Sequence, residues 1–410
     1  VLLPIQAAAF HRVTGAGLVL NLVAIPAMSL VQISGMALVA FDALALDGAT
    51  AVSAAVARAA ARALTESARL VDVVPRVSWR VAAPPVWLWL TYACACAGLA
   101  WGTLPALRRV FAATACAGAA AMLLSAAAPP LAPRQLVLTM FDVGQAEAMV
   151  LRLPSGRTFL VDAAGPPGRF DIADRVLVPA LLARGVRRLD ALIVTHPDAD
   201  HAGGAPGVIA DLRPARVIEG IAPARHADRE TLGRVAAAAG LPIEAWRAGG
   251  AVIDGGVRVN VLHPPPPEWE RQRVRNDDSL ALEVIYGAVS LILTGDAGGE
   301  AEREMAARLA PASVRILKAG HHGSRTSTSP AFLDSVRPSA ALISAGRGNV
   351  YGHPAAVVVR ALEARGAAVF RTDHDGQIDL VTDGRSVEIA TNTGRRWQIA
   401  ARPASARGGG

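Results

Sequence analysis

The stretch that decides the fold of the larger part of this chain is residues 189–204, LDALIVTHPDADHAGG. Its apolar first half is typical of a buried strand over 189–195, and four metal-binding side chain types follow at once: His196, Asp198, Asp200 and His201. Two glycines then allow a tight bend. Four such groups converging without a counter-ion would be electrostatically costly, so the pattern predicts a metal site. The plainer alternative is an exposed acidic turn with incidental histidines.

Three later segments repeat this arrangement, in which a strand ends in a ligand-type residue at a turn that contains glycine. They are LILTGD (291–296), RILKAGHHGS (315–324) and NVYGHP (349–354). Each signal is weak alone, because an Asp after a strand is usually a cap and a single His is more often structural. Together, Asp296, His321, His322 and His353 add enough nitrogen and oxygen ligands for two divalent ions, and Asp296 could bridge them.

The surrounding sequence alternates short β-type runs with helical segments from residue 135 onward. Strands are predicted at 136–141, 148–153, 158–162, 189–195, 257–262, 280–286, 289–295, 314–318, 340–344, 368–371 and 377–381. Helices are predicted near 171–184, 226–239, 298–309 and 355–365. Two β-layers with helices outside are the natural arrangement, so residues 135–394 are expected to form one domain.

Residues 1–134 are much more apolar. Residues 16–46 contain a single charged residue, Asp42, and are long enough for one membrane span with a kink at Pro26. Two further spans are predicted at about 84–105 and 110–129. Residues 50–73 place arginines at spacings of four and seven, which predicts an amphipathic helix on the membrane surface or a solvated linker. The chain opens on Val1, so a truncated chain is expected.

The charge balance argues against a nucleic-acid signature in the folded domain. The whole chain has 41 basic and 34 acidic residues, a net charge of +7. Residues 135–394 carry 28 basic and 30 acidic residues, and most of the excess lies in the apolar third. Residues 395–410 hold four arginines and are predicted to be a disordered tail. Cys94, Cys96 and Cys116 all lie before residue 135, so a cysteine zinc site in the domain is excluded.

Several segments of the sequence resemble those of a known family. The segment THPDADHAGG is similar to the metal-binding loop of the metallo-β-lactamase fold. The segments FDVGQAEAMVL (141–151), NDDSLAL (276–282), LKAGHHGS (317–324), SAGRGNVYGHP (344–354) and RTDHDGQI (371–378) resemble one branch of it, the ComEC family of DNA-internalisation membrane proteins. Residues 10–31 are similar to the end of that family's competence membrane domain.

The resemblance implies a membrane α-helical segment followed by a four-layer αββα sandwich. It makes His196, Asp198, Asp200 and His201 metal ligands and Asp296 the bridging carboxylate. The later ligands are then His353 and one of His321 and His322, of which His322 is favoured. Asp198 stands where a His is usual, and an oxygen ligand there makes manganese or magnesium more competitive with zinc.

Two further site residues each allow two interpretations. His263 is either the mid-domain ligand or a loop histidine, and Lys318 either faces a phosphate or is an ordinary strand lysine. Asp200 and Lys318 are the predicted catalytic residues, with Asp200 orienting or deprotonating the attacking water. His11, His226 and His374 have no supporting constellation and are left out.

The implied function is DNA uptake, in which two divalent ions, zinc or manganese, assist cleavage of one strand of incoming DNA. The expected partners are DNA, the membrane and other competence proteins, with the oligomeric state open. Two alternatives remain: a non-catalytic metal- or DNA-binding domain of a transporter, and a hydrolase of another phosphate ester. The family pattern puts a multi-pass protein in the bacterial inner membrane with the hydrolase domain outside, in the periplasm, whereas the arginine distribution favours the opposite orientation.

Overall fold

The computed structural model describes residues 7, 11–14, 16–73, 78–81, 83–127, 133–165, 171–221, 226–266 and 276–401. The chain divides into two compact units between Ala128 and Pro129. The expected domain border, at 134/135, lies six residues further on.

The first unit is helical. Its helices are α1 (Ala16–Ala43), α2 (Asp47–Val73), α3 (Val86–Trp101) and α4 (Pro105–Ala127). Helix α1 packs on α2 and α3 packs on α4. Two short strands, β1 (Arg12–Thr14) and β2 (Ser78–Arg80), pair antiparallel. The predicted amphipathic helix at 50–73 is present and begins three residues earlier.

One helix among the described residues is long and apolar enough to cross a membrane, the 24-residue segment Leu20–Ala43 of α1. Its apolar side chains, including Leu22, Ile25 and Met36, are largely exposed within the unit, as lipid-facing residues would be. Helix α3, with 16 residues, is shorter than the roughly 20 that a span requires. The spans at 84–105 and 110–129 therefore stay predictions.

The second unit contains two mixed β-sheets. The larger has nine strands in the order β18-β17-β16-β3-β4-β5-β6-β7-β8. These are β3 (Leu136–Met140), β4 (Met149–Arg152), β5 (Thr158–Val161), β6 (Ala191–Val194), β7 (Val217–Glu219), β8 (Ile243–Ala245), β16 (Ile378–Thr382), β17 (Ser386–Thr391) and β18 (Arg396–Ala400). From β18 to β5 all neighbours are antiparallel, and from β5 to β8 they are parallel.

The smaller sheet has seven strands in the order β15-β14-β13-β12-β11-β10-β9. These are β9 (Ala251–Asp254), β10 (Val257–His263), β11 (Ala281–Tyr286), β12 (Val289–Leu293), β13 (Val314–Lys318), β14 (Ala340–Ile343) and β15 (Ala368–Arg371). Its first four strands in chain order are antiparallel, and β12 to β15 run parallel. Both sheets thus end in a parallel half.

Helices cover the outer face of each sheet. In chain order they are a π-helix (Ala173–Leu177), α5 (Val178–Ala183), α6 (Ala199–Ala202), α7 (Ala205–Leu212), α8 (Ala227–Ala238), α9 (Gly299–Ala306), α10 (Pro330–Val336), α11 (Ala356–Glu363) and α12 (Thr372–Asp375). The central core joins inward side chains of both sheets, such as Leu138, Ile193, Leu282 and Leu342. Two further apolar clusters join each sheet to its own helices. The predicted four-layer αββα sandwich is confirmed.

Strand β18 corrects the expectation of a disordered tail from residue 395. Its residues RWQIA pair antiparallel with β17, and Trp397 and Ile399 pack against the central core. The guanidinium of Arg395 lies 4.2 Å from the centre of the Phe370 ring. The alternation of apolar and polar residues gives this edge strand one face to bury. Residues 402–410 lie outside the described residues. So do Arg271, Arg273 and Arg275, a local basic cluster that the sequence offers as a path for DNA.

The central core gives a stability prediction. Leu282 on β11 is 1% exposed between the two sheets. Leu282→Ala should lower the free energy of unfolding by about 2–5 kcal/mol, because a buried cavity is created. Urea unfolding followed by tryptophan fluorescence measures this, since Trp246 and Trp397 pack against the same core. Ile253→Ala, at a side chain 64% exposed, is the matched control and should change stability by no more than about 0.5 kcal/mol; equal losses in both variants would contradict this packing.

Candidate metal centre

The candidate site forms where strands of both sheets end. Strand β5 leads into Asp162 and β6 into Thr195 and His196, while β12 leads to Asp296 and β13 to the His321–His322 pair. Carboxyl ends of parallel strands lie at one edge of a sheet, so the parallel halves deliver these side chains to a common place. The ligand-type residues are therefore brought together by topology, although they are far apart in sequence.

The inner part of the site is a fully buried group. Ligand atoms of Glu147, His201, Asp296 and His322 all lie within 4.8 Å of one another. The Nε2 of His201 is 3.3 Å from Oδ1 of Asp296, and Nε2 of His322 is 3.9 Å from Oδ2 of the same carboxylate. The atoms His201 Nε2, His322 Nε2 and Asp296 Oδ1 have no hydrogen-bond partner among the described residues. Buried polar atoms without partners are rare, and a cation at this point would satisfy all three.

Each inner histidine is held in place from behind. His201 Nδ1 donates to Oδ2 of Asp162 at 2.7 Å, and His322 Nδ1 donates to the carbonyl oxygen of Ser344 at 3.0 Å. Asp162 is itself fixed, since it accepts from both the backbone N–H and the hydroxyl of Thr195 at 2.8 Å. These bonds leave the Nε2 of each ring directed into the site, which is the usual arrangement behind metal-binding histidines.

The outer part of the site adds His196 and Asp200. Ligand atoms of these residues and of His201 also lie within 4.8 Å of one another. The carboxylate of Asp200 is 38% exposed, and its Oδ2 lies 3.4 Å from His322 Nε2. The two groups share His201, so the site extends from a buried centre to a partly open mouth at Asp200.

The electrostatics of the site favour a positive charge. Burial by itself lowers the pKa of His201, but the carboxylates of Asp296 and Asp162 outweigh burial and raise this pKa well above its ordinary value. Burial likewise raises the pKa of Asp296, and the charges of His201 and His322 more than reverse that and hold it well below its ordinary value. Carboxylates that hold a proton on His201 would also attract a divalent cation.

The pKa of Asp200, which lies nearer to solvent, is also lowered by neighbouring histidines. Burial raises its pKa, but the Nε2 of His322, 3.4 Å from its Oδ2, and the charges on His201 and His322 lower the pKa of Asp200 to about 2. This carboxylate is therefore ionised throughout the neutral range.

Asp198 lies on the outer side of the site. Its Oδ2 is 3.6 Å from His196 Nε2, and its Oδ1 is 3.2 Å from His226 Nε2. His226 is the N-cap residue of α8, and its sequence neighbours give no sign of a ligand. Only the folded chain brings it to Asp198.

The other predicted histidines lie at different distances from the centre. His321 is 28% exposed, with Nε2 3.8 Å from Asp296 Oδ2, and the His353 ring lies 5.6 Å from the His321 ring. His263 lies outside both groups of clustered ligand atoms, and its Nδ1 donates to the carbonyl oxygen of Ser279 at 3.1 Å. Among the described residues, the two groups of clustered ligand atoms thus include His196, Asp200, His201, Asp296 and His322, and leave out His321, His353 and His263.

The side chain of Lys318 does not reach the surface of the site. It is fully buried, pairs with the carboxylate of Glu147, and donates to the carbonyl oxygen of Gly295 at 2.8 Å, with Asp296 Oδ1 3.7 Å away. Burial lowers the pKa of Lys318, but Glu147 and Asp296 outweigh burial and raise it. The expectation of a phosphate-facing lysine is therefore wrong, and so is the alternative of an ordinary strand lysine that reaches solvent.

Two residues of the site were missed in the sequence. Asp162 ends the predicted strand 158–162, and Glu147 is the one acidic residue in the apolar run AEAMVL. A carboxylate directly after a buried strand was the available signal for Asp162, since the same reasoning had found Asp296. Glu147 had no comparable signal, because its partner Lys318 is 171 positions away in sequence.

The donor set fits a divalent metal ion. It consists of imidazole nitrogens and carboxylate oxygens, two inner imidazoles are already oriented, and three of the inner atoms lack partners. Zinc and manganese both accept such ligands.

Comparisons with known proteins agree with this geometry. A family model described as metallo-beta-lactamase superfamily matches residues 141–347, about half of the chain, and one described as competence protein matches residues 1–106. The chain is 34% identical over 251 residues to ComE operon protein 3 of Bacillus subtilis, and 31% identical over 254 residues to competence protein ComA of Neisseria gonorrhoeae. It is 33% identical over 237 residues to recombination protein 2 of Haemophilus influenzae.

These matches cover 58%, 60% and 58% of this chain but only 32%, 32% and 28% of the respective relatives, so the matched part spans about a third of their length. Among solved structures, the metallo-beta-lactamase fold protein YhfI from Bacillus subtilis is 10% identical, with a TM-score of 0.36, covering 57% of this chain and 95% of that one. At this TM-score the fold assignment rests on the strand order and the family model. The chain therefore belongs to the metallo-beta-lactamase superfamily, and the segment that precedes this domain is similar to the competence protein family.

Proposed function

We propose that the second unit hydrolyses phosphodiester bonds in one strand of incoming DNA, with two divalent ions, and that the whole protein takes part in DNA uptake across the inner membrane. The observation that carries the proposal is the buried cluster of His201, Asp296 and His322, whose unpartnered atoms face one another. The substrate class is supported by the match to competence proteins and by the names of the relatives in Bacillus and Neisseria.

The ligands can be assigned to two positions. His201, His322 and Asp200 would hold one ion, and His196 with Asp198 would hold the other, with Asp296 shared between them. Asp296 lies at the centre of the cluster, with Oδ1 3.3 Å from His201 Nε2 and Oδ2 3.9 Å from His322 Nε2. Its shared role is the part of this assignment that the family resemblance implies. His321, His263 and His353 are then left outside the proposed ligand set. Bound ions would supply Lewis-acid stabilisation of the charge that develops on the phosphate and on the attacking water.

The protein's own groups supply the rest. Asp200 lies at the mouth of the site, and as a carboxylate it can accept a hydrogen bond from the attacking water and orient it. Its pKa of about 2 makes it a weak proton acceptor near pH 7, so orientation is the role that we assign to it. Lys318 lies beneath Asp296 and Glu147, where its positive charge offsets two buried carboxylates without touching the substrate.

A cleavage assay tests the proposal. The full chain should cut single-stranded DNA only when zinc or manganese is present, and chelation should abolish cutting. His201→Ala and Asp296→Asn should each lower kcat by more than about 100-fold. A loss of about 100-fold is the upper end for replacing a residue behind a metal ligand, and the loss of a ligand itself should be larger. His374→Ala is the control, because His374 is 65% exposed and contacts only Asp373 among charged groups of the described residues. Unchanged cutting by either ligand variant would contradict the assigned site.

The same variants separate an enzyme from a purely structural domain. Loss of transformation in cells carrying His201→Ala, together with no cutting by the purified wild-type chain, would favour the non-catalytic alternative. Cutting of small phosphate diesters but not of DNA would favour another phosphate ester as the substrate.

A second prediction concerns metal affinity. In Asp162→Asn one carboxylate oxygen becomes an N–H donor, which must then face either the Nδ1–H of His201 or the N–H of Thr195. We expect affinity for zinc or manganese to fall about 10- to 100-fold, measured by competition with a chromophoric chelator. Asp383→Asn, at an exposed carboxylate in the turn between β16 and β17, should leave affinity unchanged. Equal affinity in wild type and Asp162→Asn would mean that His201 is not a ligand.

A third prediction concerns the side of the membrane. We propose a multi-pass inner-membrane protein with the hydrolase domain in the periplasm, where incoming DNA arrives, alongside other competence proteins. Alkaline phosphatase fused after residue 410 should then be active, and a cytoplasmic reporter at the same position should not. The reverse pattern would place the domain in the cytoplasm, as the arginine distribution favours.

A further inference from the structure

A row of aromatic rings leads from the buried centre to the surface. The ring of His322 lies 6.4 Å from that of His321, His321 lies 5.6 Å from His353, and His353 lies 5.9 Å from Tyr351, to which it is nearly parallel. Exposure rises along the row, from 2% for the His322 side chain and 28% for His321 to 69% for Tyr351. The outermost ring is therefore open to solvent beside the candidate metal centre.

The loop that carries Tyr351 is held in one shape by its own hydrogen bonds. The side-chain amide of Asn349 donates to the carbonyl oxygens of Gly346, at 2.8 Å, and His353, at 2.6 Å. Its Oδ1 accepts from the backbone N–H of His353 at 3.0 Å, and Gln145 Oε1 accepts from the N–H of Gly346 at 3.0 Å. Tyr351 thus lies on a turn of fixed shape, so the loop loses little conformational entropy when a ligand contacts it.

Each of the two loops that carry the row also carries an exposed arginine. Arg325 follows the His321–His322 pair, Arg347 belongs to the Tyr351 loop, and both are exposed. Arg347 is oriented by a bond from its Nε to the carbonyl oxygen of Asp373 at 3.0 Å. Exposed guanidinium groups on the same loops as an exposed aromatic ring are the combination that binds single-stranded nucleic acid, in which cations follow the phosphates and rings stack on bases.

We propose that Tyr351 is a stacking platform for a nucleobase next to the phosphodiester held at the metal centre, which rests on the proposed function in taking DNA as the substrate. A base in a duplex has both faces covered by its neighbours, whereas a base in a single strand can offer a free face to the tyrosine. The platform therefore selects single-stranded DNA, and it does so without reading a particular base, because every base has a π-face.

Equilibrium binding of the full chain tests this site independently of catalysis. Fluorescence anisotropy is measured in a metal chelator, with labelled oligothymidylate and an abasic oligonucleotide of the same length and charge. The wild-type chain should bind oligothymidylate about tenfold more tightly, which corresponds to about 1.4 kcal/mol and lies within the range of one base–aromatic stack. Tyr351→Ala should lose this preference, and Tyr351→Trp should keep it.

Val350→Ala is the matched control, because Val350 is the adjacent residue of the same turn, is 93% exposed and has no ring. It should bind both oligonucleotides as the wild type does. Equal binding of the two oligonucleotides by the wild type, or a preference that survives in Tyr351→Ala, would overturn the stacking site. A base preference that depends on Tyr351 in a chain that cuts no DNA would leave the stacking site standing and remove the proposed hydrolysis.

Discussion

The buried charge beneath the site is the constraint on which the second unit depends. Asp162, Glu147, His201, Asp296 and Lys318 are each at most 2% exposed. An ion taken out of water costs several kcal/mol unless it is paired, and here the pairs form one chain, from Glu147 through Lys318 and Asp296 to His201 and Asp162. These residues come from both sheets, so a shift of one sheet against the other would leave a charge uncompensated. The network thereby ties the relative position of the sheets to the geometry of the site.

The residues of the site differ in their exposure to solvent, and their proposed roles differ accordingly. The inner residues His201, His322 and Asp296 are closed to solvent, and the two histidines are fixed by hydrogen bonds from behind, as rigid ligands need to be. Asp200 and Asp198, 38% and 42% exposed, form the mouth. Tyr351 and the neighbouring arginines lie outside it. A substrate strand would thus meet cations and a ring first, then an ionised carboxylate, and the buried centre last.

Sequence reasoning found most of the residues that follow buried strands, because a polar side chain after an apolar run is visible locally. The ligands at 196–201, Asp296 and the histidine pair were all found in this way, and the four-layer arrangement followed from the alternation of strands and helices. Errors arose where a partner is distant. Lys318 seemed free to face a phosphate because Glu147 could not be paired with it, and His226 seemed isolated because its approach to Asp198 requires the fold. The edge strand β18 was also missed, since its pairing with β17 exists only in the fold.

By itself, the sequence determined which residue types are available at each strand end, that the first third is apolar, and which family the motifs resemble. Those properties depend on composition and spacing over a few positions. Only the tertiary structure decided which of the candidates meet, that Lys318 is buried against Glu147, and that Tyr351 stands at the end of an aromatic row. These depend on the order and register of strands that are far apart along the chain. A charged side chain such as that of Lys318 becomes buried only once the two sheets have packed together.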